Sequence, residues 1–462
     1  MRTHWGSRLG FILATAGSAI GLGNIWRFPY LAGQYGGGVF LIFYLISVIG
    51  LGYFLLLSKL AFGRTAQTNL IDGFKEVAEQ NGKKASSVWG ALGGWLAFLN
   101  AFLVSSVYLV VIGWTASYVV EGGSLWLGLS DQAIDATLFD RLTSSFGKQL
   151  FWGILCCVLS AFVLIKGVKK GIEKTSLLLM PILFVLLLFM LVWMMFLPGA
   201  GEGISFFLTP DWSKAGFTST GFDISIFADV MLAALGQALY SLSLGIGVIF
   251  TYGSYLPHHT DLKGAAKWIA GLDTLVALLA GLIVLPAVFA FGLEPGQGPS
   301  LSFVSLPLIF SQMLGGQFLM FLFFVLLFLA ALTSLISIYE ASVSMMIDKF
   351  HISRIRATVV AALINLVGMI MLLASFTNLV PIRILGQDLF TMTDKATTSY
   401  TMPLVTLICC LFIGWKASTV IIKNIGHGSH VHSSHFFKRY LRFTLRITAP
   451  VVLITLFILG LF

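Results

Sequence analysis

Charge is scarce in this chain: 10% of its 462 residues are Asp, Glu, Lys or Arg, where an ordinary soluble domain carries about a quarter. A mean hydropathy of +0.94 points the same way and argues against a soluble enzyme. Cysteine is scarce too. The four present form the adjacent pairs Cys156-Cys157 and Cys409-Cys410 within apolar runs, a pattern of small packing groups and not of a disulfide framework. Histidine is missing from the apolar runs: His4, His258, His259, His351, His427, His430, His432 and His435 all fall outside them. That excludes a bis-histidine haem and weakens the reading of a membrane redox protein.

What the chain has in quantity is apolar length. Runs near 20 apolar residues bounded by charge predict about eleven spans, at 9–30, 38–62, 88–120, 149–166, 175–197, 225–255, 265–291, 317–347, 357–375, 386–414 and 441–461. The expected fold class is an all-α integral membrane protein, one transmembrane domain over residues 1–462. The net charge of +9 follows from topology: Arg2, Arg8, Lys169, Lys170, Lys263, Lys267, Lys349, Arg354, Lys438 and Arg439 fall on one set of ends and loops. Asp131, Asp140, Glu202, Asp211, Asp223 and Glu294 fall on the other. The positive-inside rule puts the N-terminus in the cytoplasm and, after an odd number of crossings, the C-terminus outside. The bilayer is the expected partner; nucleic acid is not. A signal peptide is a rival reading of the opening stretch, Leu9 to Ala19 with Ala14-Thr15-Ala16.

Two spans are dense in glycine, one through Gly17-Ser18-Ala19-Ile20-Gly21-Leu22-Gly23-Asn24 and the other through Tyr240-Ser241-Leu242-Ser243-Leu244-Gly245-Ile246-Gly247. Each glycine costs about 1 kcal/mol against alanine inside a helix, so both spans are expected to break at mid-membrane. Close helix packing is the alternative meaning of such glycines. The two lie five spans apart, at matching places in two five-span halves, the pattern of an inverted-repeat secondary transporter. Between the seventh and eighth spans, Glu294 to Pro299 leads into a semi-apolar stretch, Ser300 to Leu314. It is too short to cross, and reads as an outer lid or an ordinary amphipathic loop.

A helix broken in lipid exposes peptide groups that must be completed. Half-helix N-termini suit a carboxylate, and free carbonyls suit a cation. Asn24, Ser241, Asp273, Thr333 and Ser334 add the hard oxygen that alkali cations prefer. Asp273, an acid in an apolar run, demands a partner, here sodium, unless it sits shallowly beside Lys267. Arg27 with Asp394 could pair on the outer side, and Arg2 with Asp348 on the inner. The His427 to His435 cluster reads as a solvated linker, with metal binding as the alternative.

The run Gly21-Leu22-Gly23-Asn24-Ile25-Trp26-Arg27-Phe28-Pro29 closely resembles the first helix of the neurotransmitter:sodium symporter family. Gln237 with Ser241 to Gly245, Ala330 to Ser334, and Tyr108 before Trp114 extend the resemblance along most of the chain. It implies the leucine-transporter fold, a 5+5 inverted repeat over about 8–197 and 225–415 with an extra helix at about 441–461. It implies a first sodium site from Ala19, Asn24, Ser241, Asp273 and the substrate carboxylate, and a second from Gly17, Ile20, Ala330, Thr333 and Ser334. The carboxylate would meet Leu22, Gly23 and Tyr108, while Val104, Tyr240, Ser243, Ile246, Ser334 and Ile338 line the side-chain pocket beside Ala19 and Ser241. Arg27, Asp394 and Gln237 would gate the outer side, with Tyr108 and Tyr240 as lid, and Arg2, Trp5, Tyr255 and Asp348 the inner. Gly171 and Pro181, nine residues between them, match a family site where unwinding opens a water path inward.

The implied function is sodium-coupled import of a neutral, hydrophobic or aromatic amino acid across a bacterial inner membrane. Asp273, where animal members have asparagine and use chloride, implies no chloride requirement. A transporter of another small zwitterion or osmolyte, and a non-transporting sensor, are the rivals. Monomer and homodimer are equally compatible with the sequence.

Overall fold

Apolar length and glycine placement decide the architecture. The computed structural model describes residues 3–82, 87–130, 134–135, 137–219, 221–294, 301–426 and 434–460. Among them ten helices are long and apolar enough to cross a membrane, and a bent pair, Arg8–Ala19 with Gly23–Gln34, makes an eleventh span. The others are Gly38–Ala66, Gly90–Trp126, Phe146–Ile165, Val168–Met195, Ile224–Ser241, Leu262–Ala290, Gly316–Phe350, Arg354–Phe376, Leu389–Lys416 and His435–Leu459. Several outrun the expected bounds: the third continues to Trp126 because Val119 to Trp126 keep the helix going past the apolar core.

Both glycine-rich spans are broken. The first turns by 51° between its halves, with Ile20 extended at ψ 108°. The sixth stops at Ser241 and resumes as Val248–Ser254. Positive φ at Ser243 (52°) and Gly247 (83°) takes the chain around the gap, a conformation that glycine adopts without steric cost and serine does not. Glycine also serves packing. A Cβ on Gly63 would lie 2.0 Å from the Phe250 carbonyl, and one on Gly253 2.5 Å from that of Leu60. The second span and the second half of the sixth, Val248–Ser254, therefore touch backbone to backbone, as small residues allow in membranes.

The third and eighth spans pack along each other at the centre. The stretch after the seventh span forms a short helix, Leu301–Ser311, which is buried and not a surface loop. Phe303, 1% exposed, meets Trp26 at 5.6 Å and Trp114 at 5.8 Å between ring centroids, and its carbonyl accepts from the Tyr118 hydroxyl at 2.7 Å. Two small hairpins, Phe217–Thr218 with Gly221–Phe222 and Arg383–Ile384 with Gln387–Asp388, join spans on the face opposite the basic one. Gly171 and Pro181 lie in wound helix here: Val168–Glu173 is a π-helical turn that runs into Lys174–Met195. The four cysteines are buried and free.

Candidate functional site

The two breaks meet at Asn24, Ser241 and Asp273. Asn24 is fully buried, and its amide nitrogen donates to Ser241 Oγ (3.0 Å), to the Asp273 carbonyl (3.0 Å) and to Asp273 Oδ1 (2.8 Å). Its amide oxygen accepts from Gly21 N at 3.2 Å. Ser241 Oγ donates to Asp273 Oδ2 at 2.6 Å. Asp273 is 0% exposed, so it does not sit shallowly beside Lys267. Among the described residues no cationic side chain reaches it. A carboxylate buried among neutral donors is a place for a cation.

The second set of oxygens gathers below the first break. Ser334 Oγ stands 3.3, 3.4 and 3.1 Å from the carbonyls of Gly17, Ser18 and Ile20. One hydroxyl proton cannot serve three carbonyls, so lone pairs remain for an ion. Thr333 Oγ1 lies 3.0 Å from the Ala330 carbonyl, and a Cβ on Gly17 would come within 3.4 Å of Thr333. These donors are all hard oxygen, which fits sodium.

Between the two sets lies a cavity of about 30 Å³. Ala19, Gly23, Val104, Tyr108, Tyr240, Ser241, Ser243, Ile246, Ser334 and Ile338, all expected from the sequence, line it, with Ser18, Gly21 and Met402 besides. Leu22 contributes its backbone N–H, which donates to the Tyr108 hydroxyl at 3.3 Å. Glycine at 21 gives the two hydroxyls room: a Cβ there would stand 2.7 Å from Ser334 Oγ and 2.8 Å from the Tyr108 oxygen, and one of them would have to move. So small a space holds a water or two, and an amino acid enters only if side chains turn aside. Tyr240 separates this cavity from another of about 230 Å³ that Arg27, Tyr35, Thr398 and Pro403 also line. A groove of about 1040 Å³ opens between the second and seventh spans, away from the breaks, and is mostly apolar, with Lys263 and Lys267 on its lining.

The gates differ from expectation in detail. Arg27 and Asp394 form no ion pair among the described residues. Asp394 is exposed, while half-buried Arg27 lies over the Tyr240 ring, 4.8 Å from its centroid. Asp394 is nonetheless close enough to interact electrostatically with Arg27 and with Tyr240, so the three groups expected at the outer gate lie together without a direct ion pair. Gln237 is not at an entrance: fully buried, it donates to the Gly23 carbonyl at 2.8 Å and ties one broken span to the other.

On the basic face, Trp5 is 8% exposed and donates its indole N–H to the Tyr252 carbonyl at 3.1 Å, while its backbone N–H reaches the Tyr255 carbonyl at 3.4 Å. Arg2 lies outside the described residues, as do His427, His430 and His432; Asp348 is half-buried at the inner end of the eighth span. Two residues absent from the sequence reading complete this closure. Glu173, 4% exposed, accepts from Gly6 N (2.6 Å) and Ser7 Oγ (2.7 Å). Glu340, 0% exposed, accepts from the Tyr255 hydroxyl (2.6 Å) and pairs with Arg354 (2.5 Å). An acid inside an apolar run was the available signal for Glu340.

The model of the sodium:neurotransmitter symporter family matches residues 2–130 and 138–462. An uncharacterised sodium-dependent transporter of Bacillus subtilis is 35% identical over 98% of this chain and 97% of its own length. Another, from Haemophilus influenzae, is 34% identical over 100% of this chain and 98% of its own. The crystal structure of MhsT in complex with L-phenylalanine superposes with a TM-score of 0.86 at 37% identity, covering 100% of both chains.

Proposed function

This chain belongs to the sodium:neurotransmitter symporter family, a family of sodium-dependent membrane transporters, and from that premise we propose that it imports a neutral, hydrophobic amino acid with sodium by alternating access. The observation that carries this reading is the buried Asn24, Ser241 and Asp273 cluster spanning both helix breaks. Ala19, Asn24, Ser241 and Asp273 would hold one ion together with the substrate carboxylate. Gly17, Ile20, Ala330, Thr333 and Ser334 would hold a second.

The carboxylate docks at the start of the outer half-helix, on the N–H groups of Leu22 and Gly23. Tyr108 accepts from Leu22 N, which leaves its own proton for that carboxylate. Val104, Tyr240, Ser243, Ile246, Ile338 and Met402 face the side chain. None is charged, which favours a neutral and apolar substrate; that MhsT holds L-phenylalanine supports the same choice. Two sodium ions with one zwitterion carry two charges, worth about 4.6 kcal/mol per 100 mV.

The basic face, shut by Trp5 and Glu173, is read as cytoplasmic, with the protein in a bacterial inner membrane, its N-terminus inside and C-terminus outside. The halves 8–197 and 225–415 act as the two repeats that rock about the site. Asp273 supplies a resident negative charge, so chloride is not required. Uptake of labelled amino acids into proteoliposomes, with sodium or potassium outside and across all twenty side chains, tests the reading. A sodium-driven signal confined to apolar and aromatic amino acids supports it; uptake indifferent to sodium rejects it, and uptake of a non-amino-acid zwitterion instead favours the osmolyte alternative.

A further inference from the structure

Carbonyls freed at the break of the sixth span need partners as much as those of the first, and the residues that serve them are a different set. Lys59, in the later half of the second span and 5% exposed, donates its ammonium to the Leu244 carbonyl and to Thr406 Oγ1, the latter at 3.1 Å. Thr406 Oγ1 also lies 2.9 Å from the Leu244 carbonyl. The buried amide of Asn100 donates to the Gly245 carbonyl at 3.0 Å, and its oxygen accepts from the Thr401 hydroxyl. None of these residues belongs to either ion site described above.

An ammonium at this depth is expensive and persists only where acceptors complete it. Among the described residues no carboxylate lies within ion-pair distance of Lys59; the titratable groups beside it are Cys409 and Cys410. Its acceptors are the Thr406 hydroxyl and the Leu244 peptide oxygen, the latter just past the C-terminal end of Ile224–Ser241, where the helix dipole is negative. Leu244 stands between Ser243 and Ile246, both of which line the small cavity. The position of one carbonyl therefore sets how far those two side chains reach into it.

We propose that Lys59 is a positioning residue, a tethered cation that holds the sixth-span break at 242–247 in place of a bound ion and thereby fixes the depth of the side-chain pocket. The depth clause rests on the amino-acid reading above; the tether does not. Order at 242–247 then depends on sodium far less than order at 17–24, with Ser243, which donates to the Ser18 carbonyl at 3.0 Å, linking the two.

Hydrogen–deuterium exchange on the purified full chain, in sodium and in potassium, tests the tether. In the unmodified protein, potassium should speed exchange at 17–24 and leave 242–247 within about twofold. Lys59→Met removes hydrogen bonds from a charged donor and should speed 242–247 by about tenfold or more in either salt, with Lys59→Arg recovering most of it. Should Lys59→Met fail to fold, Thr406→Val keeps the ammonium and should speed the same residues by about threefold. Exchange at 242–247 that follows sodium in the unmodified protein, or that neither variant moves, overturns the proposal.

The depth clause is read in uptake: Lys59→Met should change the ratio of KM for phenylalanine to KM for alanine by about fivefold or more. Equal changes in both overturn that clause. If the amino-acid reading itself is wrong, the unmodified protein takes up neither amino acid while its exchange pattern stays as described.

Discussion

The two broken spans solve one problem in two ways. At the first break the carbonyls of Gly17, Ser18 and Ile20 compete for few hydroxyls, Ser334 lying within reach of all three with one proton to give and Ser243 donating to Ser18 at 3.0 Å. At the sixth break the Leu244 and Gly245 carbonyls are held by Lys59, Thr406 and Asn100. The first arrangement leaves acceptor capacity open to an arriving ion; the second closes it with a charge the chain carries. One break is thus responsive and the other fixed, and the pocket lies between a wall that can change and one that holds still.

The harshest way to break this comparison is at Asp273, which both breaks share. Asp273→Ala removes the buried charge and strands the Asn24 amide and the Ser241 hydroxyl, at about 1–3 kcal/mol for each buried donor left unmade. Sodium-driven uptake should fall by more than a hundredfold, read as initial rate in proteoliposomes. Asp273→Asn keeps the shape and loses the charge, and its residual uptake should rise with added chloride. Chloride dependence in the unmodified protein would instead show that Asp273 does not supply the anion.

Gly21→Ala sharpens the contrast at the first break alone. The new methyl overlaps Ser334 and Tyr108, and overpacking costs about 1–3 kcal/mol. Sodium-dependent substrate affinity should drop by about tenfold, measured by equilibrium binding, with exchange at 242–247 unchanged.

Trp5→Ala probes whether the inner halves of both spans move as one, since Trp5 packs on Tyr252 at 5.1 Å between centroids and hydrogen-bonds two carbonyls there. Deleting a buried aromatic costs about 3–5 kcal/mol in cores, so the closed basic face should lose its advantage. Exchange should rise together at 5–12 and 248–255. A rise on one side only would mean that the halves are uncoupled.

The smallest effect is expected at the Lys349 and Asp72 pair, 2.7 Å apart and about a third exposed. Burial pushes the Asp72 carboxyl up, but hydrogen bonds from Lys349 and Asn69 and the lysine charge together hold it below its ordinary value. Stability from this group is therefore present above the ordinary aspartate range and is lost as pH falls through the lowered value. Exposed pairs contribute under about 1 kcal/mol. Lys349→Met should lower Tm by a degree or two at neutral pH and leave the melting point nearly unchanged from the parent's once Asp72 is protonated.

Much of the fold was legible because its causes are local. Apolar length sets the spans, and Gly21, Gly23, Gly245 and Gly247 mark the gaps. The hard-oxygen residues Asn24, Ser241, Asp273, Thr333 and Ser334 stood out for the same reason, being polar groups at apolar depth beside a break. Lys59 and Glu340 carried the same signal, a charged group within an apolar run, but nothing along their own spans pointed to the partners that hold them. Arg27 was expected to pair with Asp394; it lies over Tyr240 with Asp394 close by. Which neighbour a side chain meets first depends on how spans pack, and no spacing along one span reveals it.

The sequence by itself determined that the chain crosses a membrane, where two of its helices fail, and which atoms could bind a hard cation, since each follows from the cost of placing a given residue in lipid. Only the tertiary structure decided which partners complete each break. Lys59 and Leu244 are 185 residues apart and Asn24 and Asp273 249 apart. Such pairs exist because helices from distant parts of the chain pack side by side, where an unpartnered peptide group or charge costs more than any local preference can offset.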